Sequence, residues 1–174
     1  MQKNIDQNYK LESLLYNKIL LLSRSKLFYT KLELLDSFQN RINLIFLHMS
    51  FLNIKINQKN QTKKLKIFFQ NMFDLIFQKI ELNMREIGYG DVTVNKKMKI
   101  LVKSFYNILL NCESYNTKNF DLKKTFISKY LEPIDVKKSH FNHLLIDYFD
   151  KYEAFCFDLT PDSVLKGELN FNYK

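Results

Sequence analysis

Two unbroken helical seams meet at a pair of glycines, and this junction limits the chain more than any other feature. Leu65, Phe69, Met72, Ile76, Ile80 and Met84 recur every three or four residues; Val94, Met98, Leu101, Phe105, Ile108, Cys112 and Tyr115 do the same. Such spacing keeps one face of a helix apolar. Between the seams stands Gly88-Tyr89-Gly90-Asp91, in a chain with only 3 glycines. Glycine accepts the left-handed backbone that ends a helix, and Thr93 or Asn95 can cap the helix that follows. The spacing predicts a helical hairpin with Phe69, Met72, Met98 and Phe105 buried. Arg85, Glu86 and Asp91 crowd the turn, which suggests that Arg85 pairs with a carboxylate and that Asp91 caps the next helix or balances Lys96 and Lys97.

The rest of the chain extends the helical pattern. Leu11, Leu14, Leu15, Lys18 and Leu22 outline a first amphipathic helix. A second runs from about Lys31 to Ile56 along Phe38, Ile42, Ile45, Met49, Leu52 and Ile56. Because it is apolar on several sides, it belongs near the centre. A polar segment from Asn57 to Lys64 precedes the hairpin. A fifth helix is expected over about Asp121 to Leu131, ahead of Pro133, and a sixth from about Lys137 to Phe155. Thr160-Pro161 has the form of an N-cap and first helical residue. No segment alternates as a strand does. The expectation is an all-α, single-domain bundle of about six helices around a central hairpin. Residues 1–27 are expected to hold an N-terminal helix ahead of the main helical domain, residues 28–172.

Charge bears on partners more than on fold. The formal net charge is +9, which favours nucleic acid, ribosomes or anionic lipid. Yet Arg24, Arg41 and Arg85 are the only arginines and Ala154 the only alanine. That pattern matches an A/T-rich coding bias, which raises Lys whatever the function, so the charge has two readings. Lys96 and Lys97 open the fourth helix, where the helix dipole is already positive, and Lys99 and Lys103 continue the strip. With Tyr89, these four lysines are the candidate partner contacts. Cys112 and Cys156 form neither a metal spacing nor a disulfide framework. The first ten residues include Asp6 and lack an apolar core, unlike a signal peptide. The uncharged stretch between Arg41 and Lys55 is shorter than the roughly 20 residues needed to cross a bilayer.

Motifs for catalysis are lacking. Gly88-Tyr89-Gly90 joins helix to helix and has no third glycine, so it is no dinucleotide fingerprint. His48 lies on an apolar helix with no acid or thiol at helical spacing, as a satisfied core histidine does. His140, His143 and Asp147 share a face of the sixth helix but lack the tight pairing of zinc-binding helices. No cofactor or metal is expected, and the chain is not expected to be an enzyme. The stripe Phe69, Phe73 and Phe77 suits core packing, with a binding groove as the alternative.

Several segments together resemble a known family. Met84-Arg85-Glu86-Ile87-Gly88-Tyr89-Gly90-Asp91-Val92, then Val94, Lys96-Lys97-Met98-Lys99 and Phe105-Tyr106, resemble the signature of the ubiquinol–cytochrome c chaperones. Arg41 followed by Leu47-His48 is similar to a second segment of that family, and Leu165-Lys166-Gly167-Glu168 to its C-terminal one. Tyr89 and Asn107 depart from the pattern, standing where the family has a smaller apolar residue and a glycine. The resemblance implies an all-helical chaperone for the cytochrome bc complex, acting on newly made cytochrome b or another reductase subunit. It also implies motif roles for Arg41, His48, Arg85, Glu86, Gly88, Gly90, Asp91, Phe105 and Tyr106. Ribosome and anionic membrane surface are the further expected partners, with no specific DNA. The implied location is the bacterial cytoplasm or the inner face of the membrane, or the matrix in a mitochondrion. A ribosome- or RNA-binding module without chaperone activity is the alternative.

Overall fold

The computed structural model describes residues 10–59, 62–135 and 140–173. Among these residues there are six helices longer than ten residues, two short ones and a single 3-10 turn. The helices are α1 (Lys10–Ser23), α2 (Lys26–Thr30), α3 (Phe38–Lys59), α4 (Lys63–Glu86), α5 (Asp91–Glu113), α6 (Phe120–Tyr130), α7 (His140–Asp158) and α8 (Pro161–Leu165). The start expected near Lys137 lies outside the described residues.

Helix α3 is the axis of the bundle. Every residue from Ile42 to Leu52 is buried, and α1, α4, α5 and α7 all lie against it. This follows from a sequence that is apolar on every side. The two arms of the hairpin, α4 and α5, pack on each other and on α3. The α4 seam is buried throughout, as are Leu101, Phe105, Ile108 and Cys112 of α5. Met98 differs from the expectation: it is only half-buried, packed at the edge of the core.

Two expectations need correction. Helix α3 begins at Phe38, not Lys31. Residues ahead of it fold back on the α6–α7 connection, with an antiparallel bridge between Leu34 and Pro133. The Leu35 amide donates to Glu132 O at 3.0 Å, and the Ile134 amide donates to Glu33 O at 2.8 Å. Buried Asn40 locks this joint: its amide group donates to Leu35 O and Glu132 O, and its Oδ1 accepts from the Glu132 amide. These long-range bonds outweigh the helical propensity of Lys31–Leu35. In α1 the expected face is also rotated. Leu11 and Leu14 are exposed, while Leu15, Tyr16 and Ile19 enter the core. A helix rich in leucine on all sides leaves its inward face to be chosen by its neighbours.

Candidate functional site

The turn between α4 and α5 has a defined geometry. Gly88 has φ +96°, the Gly88 amide donates to Arg85 O and the Tyr89 amide to Met84 O, each at 3.0 Å. This is the Schellman arrangement, in which a left-handed residue lets the chain satisfy the last helical carbonyls. Gly90 is different. It is the N-cap of α5 with φ −73°, a value any residue can adopt, and it provides no side-chain cap. Thus α5 starts earlier than Thr93, and Asp91 is its first residue rather than its cap. Asp91 instead pairs with Arg85, whose guanidinium also meets Glu81 at 2.9 Å. Both carboxylates raise the Arg85 pKa, Asp91 most. An acidic first residue also suits the positive end of the helix.

The candidate contacts beyond the turn are exposed. The Lys97 ammonium stands 5.1 Å from the centre of the Tyr89 ring, a cation–π contact. Lys97 stays exposed beside the ring. Lys96, Lys99 and Lys103 are exposed along the outward side of α5. Behind them, Phe105 is buried against Phe46, Phe73 and Phe77, whereas Tyr106 is 49% exposed.

A groove opens beside this ring cluster. It encloses about 210 Å³ between α3, α4 and α5. Met49, Phe69 and Phe105 are buried at its base, Phe73 is partly exposed, Tyr106 and Lys66 form part of the rim, and Asn53, Asn57 and Gln70 add amides. The sequence pattern offered core packing and groove as alternatives for the Phe69–Phe73–Phe77 stripe. The structure divides them: Phe77 serves the core, and Phe69 and Phe73 also face the groove.

The remaining motif residues lie elsewhere. Arg41 grips Asp36 through two bonds of 2.7 and 2.8 Å just ahead of α3. With Arg24 and Glu86 it lines a separate cleft of about 210 Å³ between α1, α3 and the end of α4. His48 is fully buried. Its Nδ1 lies 2.6 Å from Leu44 O and its Nε2 lies 2.7 Å from the Tyr148 hydroxyl. Because a carbonyl only accepts, Nδ1 carries the proton and Nε2 accepts from Tyr148. Burial lowers the His48 pKa to about 4. The ring is a neutral link from α3 to α7, with no substrate access of its own.

Neither the histidine cluster nor the thiols assemble a reactive centre among the described residues. His143 stacks on Phe120 at 4.3 Å. Asp147 is engaged by Lys151 and the Tyr173 hydroxyl. The His140 side chain lies outside the described part. Cys112 and Cys156 are free and buried, and burial raises both pKa values. Sequence patterning missed Gly167. It has φ +75°, and a Cβ there would stand 2.7 Å from Leu14 Cβ, so only glycine lets the C-terminal segment close on α1.

The family model of the ubiquinol-cytochrome C chaperones matches residues 30–171. The chain belongs to that family. The match takes in Arg41, His48, the glycine turn and the C-terminal segment through Phe171. This chaperone's fold is similar to that in a crystal structure of the Cbp3 homolog from Brucella abortus, with a TM-score of 0.79 at 18% identity. That alignment covers 99% of this chain and 93% of the other. At such identity the likeness concerns the fold. A search of curated proteins finds no match. Among the described residues, no helix of this chaperone is long and apolar enough to cross a membrane.

Proposed function

We propose that this chaperone holds newly made cytochrome b during assembly of the ubiquinol–cytochrome c reductase complex, as a binding protein and not as an enzyme. The observation that carries the proposal is the aromatic groove, solvent-open and rimmed by Tyr106 and Lys66. A membrane subunit caught before assembly presents apolar helices to water, and exposed apolar surface is what such a groove can cover. Ring faces accept varied aliphatic side chains without a fixed register, which suits a holding role. Family membership points to a subunit of this respiratory complex as the client, and the motif resemblance implies newly made cytochrome b.

Deletion of the gene tests the proposal. The spectroscopic signal of assembled cytochrome b should fall strongly, while soluble dehydrogenases keep their activity. Restoration by the parent gene, but not by a Phe73→Asp/Tyr106→Asp variant that remains folded, would tie the loss to the groove. A normal level of assembled reductase in the deletion strain would overturn it.

A further inference from the structure

Helix α5 has a second seam on its outward side. Val92, Lys96, Lys99, Lys103, Tyr106 and Leu110 follow one another by four and three, opposite the buried seam that starts at Val94. Ile100 lies beside the lysines. Val92 is 69% exposed, Ile100 67% and Leu110 66%, and all three lysines are exposed. Between Asp91 and Glu113 the helix has no acidic residue. From Val92 to Leu110, about 27 Å of helix, the outward strip is basic and aliphatic apart from Tyr106.

Such a strip fits an anionic partner with an apolar interior. Protein interfaces favour arginine and aromatic side chains and are poor in lysine. Lysine among aliphatics is the pattern of a helix lying in a lipid headgroup layer. Its stems lie along the hydrocarbon boundary while the ammonium groups meet lipid phosphates.

We propose that α5 is a lipid-docking helix, lying in the plane of an anionic membrane with Val92, Ile100 and Leu110 at the acyl boundary and Lys96, Lys99 and Lys103 on headgroup phosphates. This deepens the chaperone reading and rests on it for its purpose: the helix would hold the groove beside the membrane where the client inserts. Its test uses purified protein and vesicles, so its failure is separate from failure of the deletion experiment.

The full chain should cosediment with vesicles of phosphatidylglycerol and phosphatidylcholine and not with phosphatidylcholine alone, and binding should weaken with added salt. Lys96→Gln/Lys99→Gln/Lys103→Gln should weaken binding by about a hundredfold, from the usual contribution of each lysine near an anionic surface. Lys26→Gln/Lys31→Gln/Lys124→Gln removes equal charge elsewhere and should change binding little. Ile100→Ser/Leu110→Ser should also weaken it, because the aliphatics share the docking. Helical circular dichroism identical to the parent's would show that the variants are folded. Absence of binding to anionic vesicles would overturn the proposal, as would equal losses in the two lysine variants. Vesicle binding unaffected by the α5 substitutions, with RNA binding lost, would assign the strip to nucleic acid instead.

Discussion

His48 shows how one side chain can look functional and act through the core. Its two ring nitrogens join Leu44 and Tyr148, and the Tyr152 hydroxyl donates to the His48 carbonyl at 3.2 Å. The network requires a neutral ring. Unfolded, the residue titrates near 6.5; folded, burial holds it to about 4. Between those values the unfolded chain binds a proton that the folded chain does not. The stabilisation is therefore complete above pH 6.5 and falls as pH drops towards 4, by up to about 3 kcal/mol. Urea unfolding at pH 7.5 and pH 5 should show this loss. His48→Gln should be less stable at pH 7.5 and have a flatter pH dependence across that interval. The lowered carboxylates Asp36 and Asp147 act at more acidic pH, so they leave the interval to His48. An unchanged slope in His48→Gln would mean that another group sets it.

At the scale of elements, the joint between α3 and α7 depends on charge as well as rings. Lys55 Nζ lies 2.7 Å from Glu153 Oε1, with the two side chains 5% and 11% exposed. At that distance and burial the contact is a buried ion pair. A buried pair stabilises little in itself, because desolvation offsets its attraction, yet removing one partner strands the other. Lys55→Met alone should destabilise the protein by roughly 3–5 kcal/mol. The double variant Lys55→Met/Glu153→Leu should recover most of that loss in thermal unfolding. If the double variant is as weak as the single one, packing and not the stranded carboxylate is responsible. The Asn40 clasp belongs to the same scale, because a single buried amide decides where α3 begins.

Across the whole molecule, the question is whether α1 is an appendage or part of the core. The family resemblance starts near residue 28, which sets the first 27 residues apart, although nothing in the helical pattern demands a boundary there. Yet Leu15, Tyr16 and Ile19 share the core with α3 and α4, and Ser23 Oγ lies 3.3 Å from His48 Nδ1. Each of those three side chains contributes about 1.5–3 kcal/mol on burial, against a typical total stability of about 5–15 kcal/mol. A chain beginning at Phe28 should therefore show no cooperative thermal transition and weak near-ultraviolet dichroism. A sharp transition for residues 28–174 would make them an independent domain. The surface follows a different logic from this shared core. The lysines of α5 are uninterrupted by acids, whereas the solvent side of α7 sets Asp147, Asp150 and Asp158 beside Lys151. Coding bias raises lysine everywhere, but it does not remove acids from one helix face.

By itself the sequence determined the long helical segments, the hairpin turn and the run of lysines on α5. Each depends on residues close in the chain: three-to-four spacing, a glycine at a left-handed position, and side chains on one helical face. The family resemblance was legible for the same reason, since its densest motif is the contiguous run from Met84 to Val92. Other features required residues far apart in the chain. Pairing of Leu34 with Pro133 set the start of α3, contact with Gly167 and the core set the face of α1, and Tyr148 set the tautomer of His48. The groove was also decided in three dimensions. Phe69, Phe73 and Phe105 have core-like spacing, and only the splay of α3, α4 and α5 leaves Phe73 partly open beside the exposed Tyr106 ring.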